Sequence, residues 1–350
     1  MKKHHILPLL LLVQLLFLQI VKRFPKAIDR FYVDGFYVYS APVFKAVFGW
    51  LPFSFGDVVY LFIIMYGIWF LFNFKKHKKR SSYNPLWRVL TFISVLVICF
   101  YTFWGYHYFR TPLEEKLNLT HQVTPQDYIE FTTTLIEDTN ALHYEITKDS
   151  AAQVEVPLNL KAIYTEATTI YKNSNTEAFQ LLKPVENCKS SLFSEPLSYM
   201  GFGGYFNPFT HEAHVNYNTP KYLVPFVTCH ELAHQGGVAS ETECNFFAYK
   251  VALHSNNLYF KYAANCMAIR HCLYTISGFD FEKIEPLLNS LNKGIINNFE
   301  QSEAYHEKYD GVVGLFFEKS YDGFLKMNEQ KGGLKSYSRF IELLIQHEKL

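Results

Sequence analysis

Between Val58 and Phe74 the chain carries no charged side chain, and nearly every residue there is aliphatic or aromatic. Such a run lies either in a bilayer, where a helix satisfies its own backbone polar groups, or in the core of a large helical domain. Two further stretches of the same kind lie close by, Ile6 to Val21 and Val89 to Trp104. Three within about 110 residues favour the membrane, and transmembrane helices are expected at 6–21, 58–74 and 89–104. The overall apolar fraction of 49% is ordinary for a globular chain, so the distribution carries this reading and the bulk composition does not. Residues 1–109 are therefore expected to form a membrane region and 110–350 a soluble domain.

The first stretch follows Lys2 and Lys3 as a signal sequence would, but Lys22, Arg23 and Phe24 stand where small residues would mark cleavage. An uncleaved signal anchor is expected. Lys75, Lys76, Lys78, Lys79 and Arg80 come directly after the second span. In a three-span topology they share one membrane face with Lys2 and Lys3, and the positive-inside rule makes that face cytoplasmic. Lys22, Arg23, Lys26, Arg30 and Lys45 are spread more thinly over the opposing segment. A multi-pass protein of the cytoplasmic membrane follows, its C-terminal domain outside the cytoplasm. Residues 28–54 read either as an amphipathic surface helix or as a structured loop.

Beyond Arg110 the apolar residues recur at helical spacing. Thr124 before Pro125 marks a helix start, with the helix running to about Asp138. Residues 160–183 and 281–307 read as further amphipathic helices. Gly201, Gly203 and Gly204 interrupt this pattern, and Glu212 to Tyr217 then alternates, with Ala213, Val215 and Tyr217 on one face. That is a short strand. The expected fold is predominantly α with a small β element. A formal net charge of +1 gives no reason to expect nucleic acid as a partner. The six cysteines include no C-x-x-C pair, so no zinc ribbon or thioredoxin motif is indicated.

The chemistry centres on His230-Glu231-Leu232-Ala233-His234. Residues four apart share a helix face, so both imidazoles can reach one metal ion, while the glutamate between them stands beside it as a base. Pro220 and Pro225 suit the first turn of such a helix and Gly236-Gly237 its end. Ser240 followed by Glu243 reads as a capping box that opens a second helix, with Glu243 returning to the Ser240 backbone. Glu241 is then free to face the histidines and is the favoured third ligand, with Glu243 the alternative. Asn245, one turn beyond Glu241, is placed to hold a ligand imidazole by hydrogen bond.

This constellation resembles the gluzincin metallopeptidases. Glu241-Thr242-Glu243-Cys244-Asn245-Phe246-Phe247-Ala248 is similar to the E-x-E-A-N/D-x-x-A segment of minimal and membrane-bound members, with Cys244 in place of the usual Ala. The step from His234 to Glu241 is short for that group. Nearly the whole chain resembles more closely a family of bacterial membrane proteins known as a domain of unknown function. The likeness rests on Pro52-Phe53-Ser54-Phe55-Gly56-Asp57, Gly204-Tyr205-Phe206-Asn207-Pro208-Phe209-Thr210, the histidine motif and Tyr321-Asp322-Gly323-Phe324-Leu325-Lys326-Met327-Asn328.

The gluzincin resemblance implies Zn2+ as cofactor, held by His230, His234 and Glu241, with Glu231 as general base and a peptide or protein as substrate. It also implies an extended substrate pairing with the strand at Glu212 to Asn216, and an oxyanion-stabilising side chain for which Tyr321 and Tyr337 are candidates. His211 and His214 point to opposite faces of a strand and read as surface or satisfied side chains rather than joint metal ligands. Cys229 and Cys244 flank the motifs; Cys229 lies about 100° around the helix from His230 and reads as a packing residue. A non-enzymatic zinc-binding membrane scaffold or envelope sensor is the alternative function.

Overall fold

The computed structural model describes residues 6–80, 85–174, 177–186, 188–328 and 337–349. Lys2 and Lys3 lie outside these residues, as do the side chains of Lys75 to Arg80 and of Tyr337. Among the described residues the chain is predominantly helical, with one three-stranded sheet. It divides into two units, Met1–Thr111 with Asn207–Glu212, and Pro112–Phe206 with Ala213–Leu350.

The first unit contains α1 (Ile6–Val21), α2 (Val38–Phe48), α3 (Phe55–Arg80) and α4 (Pro85–Phe103). Residues 28–54, left open between helix and loop, are helical: a π-wound segment Ile28–Tyr37 runs directly into α2. Among the described residues, one helix is long and apolar enough to cross a membrane, with its apolar window at Phe55–Asn73. Its Phe62, Trp69, Leu71 and Phe72 face outward, the reverse of a soluble core helix. The other two expected spans form the shorter apolar helices Leu10–Val21 and Trp87–Phe103.

The start of α3 shows how the chain satisfies a helix end. Ser54 Oγ accepts from the Asp57 N–H at 3.0 Å, and the Glu212 carboxylate takes the N–H groups of Phe55 and Gly56 at 3.2 and 2.7 Å. Three N–H groups at the first turn, which have no partner inside the helix, are thereby bonded, and a negative charge faces the positive end of the helix dipole. His211 belongs to the same unit. It sits at the hairpin turn with φ 56° and stacks flat on Phe44 at 4.3 Å. It is therefore buried rather than on a strand, and desolvation pushes its imidazole down to about 4.

The second unit holds α5 (Pro125–Thr147), α6 (Leu160–Asn173), α7 (Ser194–Met200), α8 (Val224–Gln235), α9 (Glu241–Leu253), α10 (Leu258–Ser277), α11 (Lys293–Tyr309), α12 (Val312–Met327) and α13 (Tyr337–Glu348). Thr124 caps α5 as the sequence predicts, in a reciprocal box with Asp127. The helix runs past Asp138 to Thr147. The helix expected over 160–183 stops at Asn173, and a separate turn covers Glu177–Gln180. The one expected over 281–307 is broken into Phe281–Lys283, Ile284–Asn289 and α11, because the chain turns at residues 290–292. α8 is the central element, packed by α6, α9 and α10, and its Phe226, Cys229, Leu232 and Ala233 are fully buried.

The strands β1 (Cys188–Ser190), β2 (Gly204–Asn207) and β3 (Glu212–Val215) are ordered β1-β3-β2. β1 runs parallel to β3 with Lys189 opposite His214. This corrects the expected place for a substrate: β3 has a neighbour on each side and offers no free edge. Among the described residues the two outer edges are those of β1 and β2. His214 is buried on β3 and stacks on Tyr205 at 4.6 Å.

Candidate metal centre

α8 and α9 bring the site together because the chain between them is short and turns sharply. Pro225 stands in the first turn of α8, where its missing N–H costs nothing. After Gln235 the chain reverses through Gly236 and Gly237, the latter at φ 91°. The reversal returns the Val238 carbonyl to the end of α8, and Ser240 then starts α9 by accepting from the Glu243 N–H.

Two hydrogen bonds decide the state of the histidines. His234 Nδ1 lies 2.8 Å from the Val238 carbonyl oxygen, and His230 Nδ1 lies 2.7 Å from Asn245 Oδ1. Both partners accept, so each Nδ1 carries a proton and each Nε2 is the atom turned toward the carboxylate, able to donate when the ring is charged and to ligate a metal when it is neutral. These two Nε2 atoms meet one carboxylate. His230 Nε2 is 3.1 Å from Glu241 Oε2, and His234 Nε2 is 3.5 Å from Glu241 Oε1. Lone pairs facing an anion at such distances repel unless a cation or a proton lies between them. Donors bound tetrahedrally at about 2.0–2.2 Å stand about 3.3 Å apart, so these separations suit one small metal ion.

Without a metal, the histidines and Glu241 hold one another's charge. Burial alone would raise the Glu241 carboxyl, but the neighbouring His234 and His230 outweigh it and hold it well below its ordinary range. For His234, burial disfavours the charged form, while Cys244 and Glu241 more than offset this and raise it. The side chains of His230, His234 and Glu241 are 13%, 11% and 23% exposed, so the cluster is mostly desolvated and still reachable from solvent.

Glu231 stands beside them. Desolvation pushes its carboxyl up to about 7, with His230 and His234 opposing and Glu241 adding to the rise. Its Oε2 is buried and has no hydrogen-bond partner among the described residues. An unpaired buried carboxylate oxygen costs stability, and functional sites are where such a cost is retained. The β2 backbone lies against this side chain: a Cβ at Gly204 would come within 2.7 Å of Glu231 Cγ and Oε1.

Two further side chains belong to the site. Tyr321, a candidate for oxyanion stabilisation, donates its hydroxyl proton to Glu241 Oε1 at 2.5 Å. Cys244 Sγ lies 3.2 Å from His234 Nδ1 and 3.3 Å from the Val238 carbonyl, and with His230 and His234 it forms a second set of donors close enough for a metal. Cys244 meets His234 at the ring nitrogen already bonded to Val238. Burial also pushes the Cys244 thiol up to about 12, which favours S–H donation to the carbonyl over ligation. The Glu241 set shares neither feature.

Other residues are engaged elsewhere. Glu243 does not close a capping box; its Oε1 accepts from the Leu113 N–H at 2.8 Å. Cys229 is fully buried, and its carbonyl accepts from the Tyr171 hydroxyl at 2.6 Å, in keeping with a packing role. None of the six cysteines is in a disulfide. Sequence reasoning missed the Tyr321 contact with Glu241. The only signal for it was the distinctive string that begins at that residue.

No curated protein and no solved structure matches the chain. A family model does match residues 32–345, a span that includes α3, the sheet, both helices of the metal centre and Tyr321. By that match the chain belongs to the DUF3810 family, described as proteins of unknown function.

Proposed function

We propose that the chain is a membrane-anchored zinc metallopeptidase, gluzincin-like in its ligand set, that hydrolyses peptide bonds. One observation carries the reading: two imidazoles, each held by an acceptor on its Nδ1 side, turn their Nε2 atoms toward both oxygens of Glu241. Two neutral imidazoles and a carboxylate are a set that suits zinc with one position left open. Bound there, zinc would supply Lewis acidity to a water molecule and to a peptide carbonyl.

The protein's own groups account for the rest. His230, His234 and Glu241 hold the metal. Asn245 and the Val238 carbonyl fix the ring orientations. Glu231 takes the proton of the attacking water on Oε2 and passes it to the departing amine, and an affinity near 7 suits both transfers. The substrate main chain pairs with the outer edge of β2, whose Gly204 abuts Glu231.

The anchor is α3, whose Phe55–Asn73 stretch is apolar and largely exposed. In this proposal α1 and α4 complete a three-span bundle in a bacterial cytoplasmic membrane, and the second unit lies outside the cytoplasm.

The test joins elemental analysis to a peptide-cleavage assay on the purified full-length protein. About one zinc per chain is expected, lost in Glu241→Ala and kept in Glu231→Gln, with cleavage abolished in both. Zinc binding without cleavage by the wild type, and a cellular phenotype that survives Glu231→Gln, would favour a zinc-binding scaffold. Absence of zinc after zinc-supplemented preparation would overturn the reading.

A further inference from the structure

α12 is sparsely packed for a helix that reaches a buried site. Val312, Val313, Leu315, Phe316 and Met327 are exposed along it, and its main helical neighbour is α7. Its inner side carries Tyr321. The ring of Tyr321 meets Phe202 edge-on at 5.3 Å and stacks on Phe324 at 6.2 Å. Ring contacts on two sides leave the hydroxyl a narrow range of directions, and it points at Glu241 Oε1.

A phenolic O–H on a carboxylate at 2.5 Å is a short, charge-assisted hydrogen bond. Glu241 lies in the first turn of α9 on a side chain with three rotatable bonds. A ligand of that length loses rotamer freedom when it binds a metal, and a bond that fixes it beforehand removes part of that cost. The bond also draws charge from Oε1, which leaves Oε2, the oxygen nearer His230, as the more basic donor.

We infer that Tyr321 is a positioning residue that fixes the Glu241 carboxylate, so that metal retention depends on α12 being seated. The inference rests on the metal-site reading proposed above. Tyr321 makes no bond to substrate in this role. It acts through Glu241, as outer hydrogen-bond partners of metal ligands do elsewhere.

The experiment uses the full-length protein in detergent, stripped of metal and titrated with zinc against a chelating dye. Tyr321→Phe keeps the ring and its packing and removes only the hydroxyl. Its zinc affinity should fall by about 10–100-fold, while the metal-free variant keeps the wild-type circular dichroism spectrum and a single cooperative unfolding transition. The visible spectrum of the cobalt-loaded variant should also shift, since the carboxylate donor changes. A Tyr321→Phe affinity within threefold of the wild type overturns the inference. So does a weaker affinity accompanied by loss of the wild-type circular dichroism spectrum or of the cooperative transition in the metal-free protein, because the role is then structural. A wild type that takes up no zinc in this assay overturns the metal-site reading itself, and the two failures are thereby distinguished.

Discussion

Asn245 Oδ1 stands 2.7 Å from His230 Nδ1, on the ring edge opposite the nitrogen that meets Glu241. The carbonyl oxygen leaves the imidazole one way to be neutral, with its proton toward Asn245 and its lone pair toward the carboxylate. Asn245→Ala removes that acceptor and frees the ring to turn. Zinc affinity should fall by about 10–100-fold, while Asn245→Asp, which keeps an acceptor at the same reach, should retain most of it. Chelator competition on the three proteins measures this, and equal affinities would mean that Asn245 does not set the ring state.

The two glutamates of the α9 first turn have separate partners, which makes their variants diagnostic. Glu241 faces both histidines, whereas Glu243 accepts from the Leu113 amide. Glu243→Ala should keep its zinc and lose stability by about 1–3 kcal/mol, as expected for a charged acceptor taken from a backbone N–H. Glu241→Ala should lose the zinc. Elemental analysis beside chemical denaturation reads both effects, and loss of metal from Glu243→Ala would make that residue the ligand.

The parts of this site visible in the sequence are those written at helical spacing. His230 and His234 are four apart on α8, Glu241 and Asn245 four apart on α9, and Gly236-Gly237 marks the reversal between them. Local rules suffice there, since each pair shares a face of its own helix. What was not legible depends on residues far apart in the chain. Tyr321 reaches Glu241 across 80 positions and Leu113 reaches Glu243 across 130, and no periodicity encodes either meeting. The central place of β3 was hidden for another reason: β1 has three residues, too few to show alternation, so its pairing with β3 could not be anticipated. The apolar runs were legible as helices, and their lengths separate α3 from the two shorter ones.

Glu231 gives a pH dependence whose sign follows from burial. In the metal-free protein its carboxyl sits at about 7 against an ordinary 4.5. Between those values the unfolded chain has released the proton and the folded chain still holds it, so this group makes stability fall as pH rises. The penalty is complete above about pH 7 and is on the order of 3 kcal/mol. Glu231→Gln removes the charge and should be more stable than the wild type at pH 8, with the advantage gone at pH 4. Denaturation of metal-free wild type and variant at both values tests this. An advantage that does not change with pH would show that desolvation of the carboxylate is not its source.

The last expectation concerns the contact between β2 and the base. A Cβ built on Gly204 would lie 2.5 Å from the His214 carbonyl oxygen and 2.7 Å from Glu231 Cγ and Oε1. The carbonyl belongs to the neighbouring strand and cannot yield without breaking the sheet, so the strain falls on Glu231 and on β2 itself. Gly204→Ala should cost about 1–3 kcal/mol of stability, as overpacking does. Cleavage should fall by about a hundredfold, since displacing a base by about 1 Å has that effect. His230, His234 and Glu241 are not among the nearest atoms this Cβ would meet, so metal content should stay at the wild-type level. Denaturation, elemental analysis and kcat on one preparation separate the three effects. A Gly204→Ala protein with wild-type kcat would mean that β2 does not hold the base in place.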